Sequence, residues 1–211
     1  MIYPIILHHD KSLEYTKSLE TNLFGREYDV IDSSTLHTSF TQSFNIACIK
    51  AYTHFLTNKY THVMICNNDI SLNSSQLDIL DQKIGGMDGI FTPSANSPHH
   101  SVMSAVGSDD LREVPWIEFI CPIISFSVID TIGLLDTKLL HGWGVELDYC
   151  YRASLQNFKT YLVQNVIVHH YEHRSQDNHN DYRHHANSEM NHVLRGKYGD
   201  GWQEILKYPQ W

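Results

Sequence analysis

The nine residues His62-Val63-Met64-Ile65-Cys66-Asn67-Asn68-Asp69-Ile70 constrain the fold more than any other stretch of the chain. Four apolar side chains in a row, between turn-forming residues, read as a strand buried on both faces inside a parallel sheet. The strand runs straight into Asn67-Asn68-Asp69, three polar side chains at its carboxyl end. In open α/β sheets that edge is where ligands bind. A carboxylate with amide neighbours there suits a hard divalent cation that holds a diphosphate. The competing reading is a plain strand-ending turn, because Asn and Asp favour turns.

The segments before it extend the same architecture. Ile2 to Leu7 is a β-rich run ending in His8-His9-Asp10, a first strand and its ligand-facing loop. Ser12 to Leu23 sets Leu13, Tyr15, Leu19 and Leu23 at helical spacing behind a Ser cap. Tyr28 to Ile31 makes a second strand that stops at Asp32-Ser33-Ser34, and Ser43 to Leu56 carries Phe44, Ala47, Cys48, Ala51 and Phe55 on one helical face. This β-α-β-α-β order is the Rossmann-like half of a doubly wound α/β fold. All three strands end in polar residues on one side, as a nucleotide pocket requires. The glycine-rich phosphate fingerprint is absent, which leaves a metal as the natural way to neutralise a diphosphate.

Further along, Ser74 to Ile84 reads as a helix with Leu77 and Leu80 inward, and Gly89 to Pro93 as a strand. Ser94 to Asp110 is polar, a loop expected over a site. Trp116 to Phe126 has the apolar content for one or two strands, and Ser127 to Gly133 for a short helix with a glycine stop. In Gly142-Trp143-Gly144 the glycines let a backbone approach a ligand, while the indole offers a flat apolar face that suits a sugar ring. Glu146 and Asp148 begin a helix running to Leu155, but residues two apart do not share a face. Asp148 and Arg152, spaced i, i+4, are expected to pair. Glu146 then points towards the glycine-lined opening, where a carboxylate accepts a proton from a substrate hydroxyl. The alternative for Glu146 is an ordinary acid favoured by the helix dipole. Thr160 to Val168 is a last strand ending in His169-His170, and a His there with Asp69 begins a mixed N/O metal site. Glu172 to Asn187 reads as flexible without ligand, Ser188 to Tyr198 as a terminal helix, and Trp202, Ile205 and Leu206 as further apolar packing.

Composition removes several classes of function. A net charge of -9 argues against a nucleic-acid partner, which needs a basic stripe to displace counterions. The longest apolar run, around Ile117 to Ile124, is broken by Glu118 and Pro122 and is too short for a transmembrane segment. The start lacks the basic flank and apolar core of a signal peptide. Cys48, Cys66, Cys121 and Cys150 are widely spaced among apolar or aromatic neighbours, which suggests free thiols in a reducing compartment and a cytoplasmic protein. Seven of the fifteen histidines fall between His169 and His192, either a metal-binding cluster or a solvated loop.

In this order and at this separation, the two polar segments resemble a GT-A glycosyltransferase, most similar to family 2 and its rhamnosyl- and galactosyltransferase-like branch. Tyr28 to Ser34 resembles the second strand of that family, whose aspartate, here Asp32, contacts the donor base. Asn45 with Ala47 and Ala51 resembles its "N-x-G…A" helix, with Ala47 in place of the usual glycine. Asn67-Asn68-Asp69 resembles the N-N-D variant of the D-x-D motif, and Ile132 to Asp136 the "G-x-hydrophobic-D" turn. Glu146 to Ala153 resembles the "E/D-x-D-x-C-x-R-A" segment, and Val168-His169-His170 the strand-end histidine of the metal site. Alignment on Asp148 to Arg152 sets Glu146 at the base position, whereas alignment on Gly142 to Gly144 sets Leu147 there and leaves Glu146 or Asp148 to serve.

The resemblance implies one GT-A domain over residues 1–211, an α/β fold with a mixed central sheet flanked by helices. Residues 1–100 would form the nucleotide-sugar-binding half and 101–175 the acceptor and catalytic half, with 176–211 a flexible loop and C-terminal helix. It implies an inverting, metal-dependent transfer from a UDP- or dTDP-sugar to a glycan or other hydroxyl acceptor. Glu146 and Asp148 would be the catalytic pair. His8, Asp32, Asn45, Asn67, Asn68 and Trp143 would bind the donor, and Asp69, His169 and His170 would ligate Mn2+ or Mg2+. A surface-polysaccharide setting is compatible with this. The rival readings are a non-catalytic nucleotide-sugar-binding module of the same fold and a zinc-binding protein built on His179, His184 and His185.

Overall fold

A computed structural model describes residues 1–8, 14–23, 25–57, 59–96, 100–104, 111–171 and 180–208. Its centre is β1 (Ile2–His8), seven residues all buried, the continuous burial that an inner strand of a parallel sheet requires. Alternate side chains of β1 serve two cores. Tyr3, Ile5 and Leu7 pack on one face of the sheet, Ile2 and Ile6 on the other.

Two parallel neighbours flank β1: β2 (Asp29–Asp32) on one side and β3 (His62–Asn67) on the other. The register pairs His8 with Asp32 and Leu7 with Asn67, so the three strands end level. Beyond β3 lies β7 (Ile123–Ser125), antiparallel to both β3 and β5 (Ile90–Ala95), and then β8 (Thr160–His170), parallel to β5. β6 (Leu111–Val114) pairs antiparallel with the start of β8, and the two-residue β4 (Ile70–Ser71) with its end. The order is β2-β1-β3-β7-β5-β8-β4. Because only β7 intervenes with reversed direction, the carboxyl ends of β1, β2, β3, β5 and β8 share one edge.

Helices cover both faces. α1 (Glu14–Asn22) and α4 (Ser74–Ile84) bury Leu19, Leu77, Leu80 and Ile84 against one face. The other face takes α3 (Phe40–Phe55), α5 (Phe126–Ile132), α6 (Val145–Leu155), α7 (Asn180–Tyr198) and α8 (Trp202–Ile205), while the single turn α2 (Ser33–Leu36) follows β2. α3 begins three residues before the expected Ser43 because Ser39 and Gln42 form a reciprocal capping box; Asn73 and Gln76 start α4 in the same way. All four cysteines are free and buried, and burial pushes the Cys48 thiol up to about 12. Among the described residues no helix is long and apolar enough to cross a membrane.

Of the one or two strands expected from Trp116 to Phe126, the structure has one, β7; Trp116, Ile117, Phe119 and Ile120 are buried as irregular chain. Two expectations need correction. β6 lies just beyond the polar segment expected to be a loop, and β5 reaches two residues into it. The segment expected to stay flexible up to Asn187 is helical from Asn180, because Ala186 and Met190 are buried against the body of the protein. Residues 172–179, with His173 and His179, lie outside the described residues, as do His9 and Asp10.

Candidate active site

The strand-end edge collects most of the expected donor-side residues. Asp69 leaves β3 through a tight turn into β4, which pairs Ile70 with His170 and Ser71 with His169. The backbone N–H of Tyr171 donates to the Asp69 carbonyl at 2.9 Å and closes this short ladder. Side chains alternate along a strand, so only one of the two histidines faces the carboxylate. His170 is buried with its Nε2 3.4 Å from Asp69 Oδ1, whereas His169 is exposed and meets the Asn96 amide through Nδ1 at 2.6 Å. His169 is therefore turned away from the expected metal site. Asn96, at the end of β5, also accepts from the His170 N–H at 3.0 Å and so fixes the strand end from the side.

Beside Asp69, Asn68 is buried and donates to the Thr16 hydroxyl at 3.3 Å. Thr16 in turn contacts His8 Nδ1 at 2.8 Å, which ties β1, α1 and the Asn67–Asp69 turn into one unit. Asn67 is half-buried, and its backbone N–H donates to Ile120. Asp32, level with His8, caps α2: its carboxylate accepts from the Ser34 and Thr35 hydroxyls at 2.6 and 2.7 Å and from their backbone N–H groups at 3.0 and 3.1 Å. Those hydroxyls, with the Thr35 N–H, hold the carboxyl well below the usual carboxylate range.

Two expected site residues are framework residues. Asn45 is buried and its amide is committed at both ends to Leu135, donating to the carbonyl at 3.0 Å and accepting from the N–H at 2.9 Å. It locks α3 to the turn after Gly133. Asp148 is 1% exposed and accepts from Arg152 Nε at 2.9 Å, from the Tyr198 hydroxyl at 2.6 Å and from Lys197. The same Arg152 donates to the carbonyls of Ile132 and Leu134, so Asp148 anchors a closed structural network rather than a reacting atom. Of the expected catalytic pair, it is the member whose oxygens are occupied by protein donors.

Glu146 has a different environment on the same helix. It is half-buried, crowded by protein but open to solvent, and burial pushes its carboxyl up to about 7; the Glu118 carboxylate adds to that rise, and N–H bonds from Glu146 and Gly144 oppose it. Glu118 accepts from the His100 N–H at 2.8 Å, two residues before the Ile120 carbonyl that holds Asn67. Trp143 is half-buried against the core. Its flanking glycines have a packing origin. Both adopt positive φ, and a Cβ would come within 2.6 Å of the Phe40 ring at Gly142 and within 2.7 Å of Met190 at Gly144. The close approach read from the sequence is to these side chains.

Thr16, Asn96 and Glu118 were missed in the sequence. Asn96 alone carried a usable signal, a polar side chain just past a strand end. Among the described residues no group of three or more His, Cys, Asp and Glu side chains converges. His184 and His185 are exposed on α7, and His179 lies outside the described residues, so the zinc-scaffold reading gains no cluster here.

No family model matches the chain. Two relatives, the uncharacterized proteins Rv1525 of Mycobacterium tuberculosis and Mb1552 of Mycobacterium bovis, are each 24% identical over 154 residues, 66% of this chain. The match spans 59% of their length. Among solved structures, GalNAc-T7 with UDP, GalNAc and Mn2+ aligns over 81% of this chain and 43% of its own, with a TM-score of 0.58 and 11% identity. TarS 1-349 of S. aureus aligns over 81% of this chain and 60% of its own, with a TM-score of 0.54 and 11% identity. A197 from STIV aligns over 81% of this chain and 85% of its own, with a TM-score of 0.52 and 12% identity. GalNAc-T7 and TarS are glycosyltransferases, and the fold of this chain is the GT-A fold.

Proposed function

We propose that this chain is an inverting glycosyltransferase of the family 2 kind, moving a sugar from a UDP- or dTDP-linked donor to a hydroxyl of a glycan acceptor. The observation that carries the reading is the meeting of Asp69 and His170 at 3.4 Å, on the strand-end edge that His8 and Asp32 share. One carboxylate and one imidazole leave most of a coordination shell to phosphate oxygens and water, the usage expected of Mg2+, and by extension Mn2+, at a diphosphate site. Asp69 keeps 19% of its side chain exposed, as a ligand to a substrate-bound cation must. When bound, the cation would offset the charge that develops on the leaving diphosphate.

The chain's own groups would divide the remaining work. Among the described residues, Asp32 Oδ2 accepts one hydrogen bond, from Thr35, and keeps capacity for a ring N–H of uracil or thymine, with His8 alongside. Glu146, with a proton affinity matched to neutral pH, would take the proton of the acceptor hydroxyl as that oxygen attacks the anomeric carbon. The bond to the diphosphate breaks on the opposite face, and its electron pair leaves with the diphosphate. Trp143 would bound the sugar or acceptor pocket. On this reading residues 1–100 hold the donor and residues 101–175 supply the base.

The test is calorimetry of UDP with and without Mn2+. Asp69→Ala and His170→Ala should abolish the Mn2+-dependent binding, whereas His169→Ala should leave it intact. Glu146→Gln should bind the donor normally and lose transfer. Binding that ignores Mn2+, or that survives Asp69→Ala, refutes the assignment.

A further inference from the structure

The proposed base stands at the start of a helix that lacks a cap of its own. α6 opens on Gly144, and no side-chain cap hydrogen bond is made there among the described residues. The preceding turn bends through Gly142 and Gly144, both at the positive φ that glycine reaches without strain. Local N–H bonds from Gly144 and Glu146 hold the carboxyl to this turn, so whatever fixes the turn also fixes where Glu146 points. α7 does so.

Glu189 accepts from the backbone N–H of His141 at 2.9 Å, and its second oxygen lies 3.0 Å from Nδ1 of the same residue. Tyr182, about two turns earlier on α7, donates its hydroxyl to the His141 carbonyl at 2.6 Å. The two rings also meet edge-on, with centroids 5.4 Å apart. Further along the helix, Met190 and Leu194 close over Gly144, and Lys197 and Tyr198 reach Asp148. One helix thus holds residues 141–148 from both sides of Glu146. Of these contacts, those of Glu189 and Tyr182 both converge on His141, where the turn into the helix begins.

We infer that Glu189 is a positioning residue for Glu146, clamping His141 so that the turn into α6 keeps the Glu146 carboxylate sheltered and aimed. The inference rests on the base role proposed above. If the clamp is released, the turn between the two glycines relaxes and the carboxylate moves towards water. Burial is the largest cause of its raised proton affinity, so that affinity reports the position directly.

The experiment follows the Glu146 carboxyl by carbon-13 NMR across pH, in full-length protein labelled at glutamate and assigned with Glu146→Gln. Wild type should titrate near 7. Glu189→Ala should lower the midpoint by about one pH unit or more and leave Mn2+-dependent UDP binding within about twofold. Transfer should fall on the order of 100-fold, the cost of a displaced catalytic group. Glu189→Gln retains an acceptor for the His141 backbone N–H and should restore most of the midpoint. Tyr182→Phe, which removes one bond, should shift it less in the same direction. A Glu189→Ala protein that loses thermal stability while Glu146 titrates as in wild type overturns the inference. So does a Gln variant that behaves like Ala. Should Glu189→Ala fail to fold, the Gln and Tyr182→Phe midpoints decide alone. Wild-type protein that shows no transfer would remove the transferase reading, and the midpoint comparison would still stand.

Discussion

Glu146 should make the protein less stable as pH rises, and the size of the effect follows from its surroundings. Its carboxyl goes from an ordinary 4.5 in the unfolded chain to about 7 in the fold, chiefly through burial. Below 4.5 the group is protonated in both states and contributes nothing. Between 4.5 and 7 the folded protein holds a proton that the unfolded chain has released, so stability declines through that window. Above 7 the full penalty is in force. Each pH unit is worth about 1.36 kcal/mol, which caps the penalty at about 3 kcal/mol. The partial exposure of Glu146 lets water share the charge and brings the expectation to about 2 kcal/mol. Glu146→Gln carries no charge at any pH, and apart from its neighbour Glu118, whose charge is coupled to it, the carboxyls are common to both proteins. Urea denaturation of the pair from pH 4 to pH 8.5 therefore reads this carboxyl together with its coupling to Glu118. The two curves should coincide near pH 4 and separate above pH 5. At pH 8 the Gln variant should lead by about 2 kcal/mol, or about 4–8 °C in melting temperature. A gap that does not change with pH, or one in which wild type leads at pH 8, refutes the argument that Glu146 is held in a desolvated site.

Asp148→Asn should cost about 3–5 kcal/mol in a urea melt, because it leaves Arg152 and Lys197 facing a buried neutral group; a loss under 1 kcal/mol would contradict the structural role given to Asp148. Asn45→Ala strips the Leu135 N–H and carbonyl of their partners in the interior and should cost about 3 kcal/mol. UDP affinity measured on the folded Asn45→Ala protein should stay within about twofold, since no donor contact is assigned to this amide.

What the sequence disclosed and what it withheld divide along a physical line. Strand interiors announce themselves through unbroken apolar runs, and the polar residue that ends each run is fixed by counting. His8, Asp32, Asn67 and His170 were legible for that reason, and parallel pairing then draws them to one edge without further information. The Asp148–Arg152 pair was legible as well, being a local contact along one helix. Contacts between distant segments were not. Whether His169 or His170 turns towards Asp69 depends on how β4 pairs with β8, and a one-residue slip would exchange the two. The commitment of Asn45 to Leu135 spans ninety residues of chain and leaves no periodic trace. Gly142 and Gly144 were noticed, but glycine signals close approach without naming what approaches. Here it is Phe40 and Met190.

Glu146 and Asp148 show why sequence alone could not assign the carboxylates of this helix. Two residues apart in the first turn of α6, they share one chemistry and nearly the same helix dipole, yet they diverge through what surrounds each. Asp148 faces the end of α7, where Lys197 and Tyr198, together with Arg152 of its own helix, donate to it and fix its position. Glu146 faces Glu118 across a poorly solvated gap and holds its proton up to about pH 7. A carboxylate saturated by cations has no reason to take a proton from a hydroxyl, whereas one whose charged form is penalised by burial does. The division of labour is made by α7, which feeds positive charge to one acid and, through Glu189 and His141, bears on the backbone that carries the other. A substitution on α7, remote in sequence from both acids, should therefore change their roles more than an exchange of Glu for Asp within α6 itself.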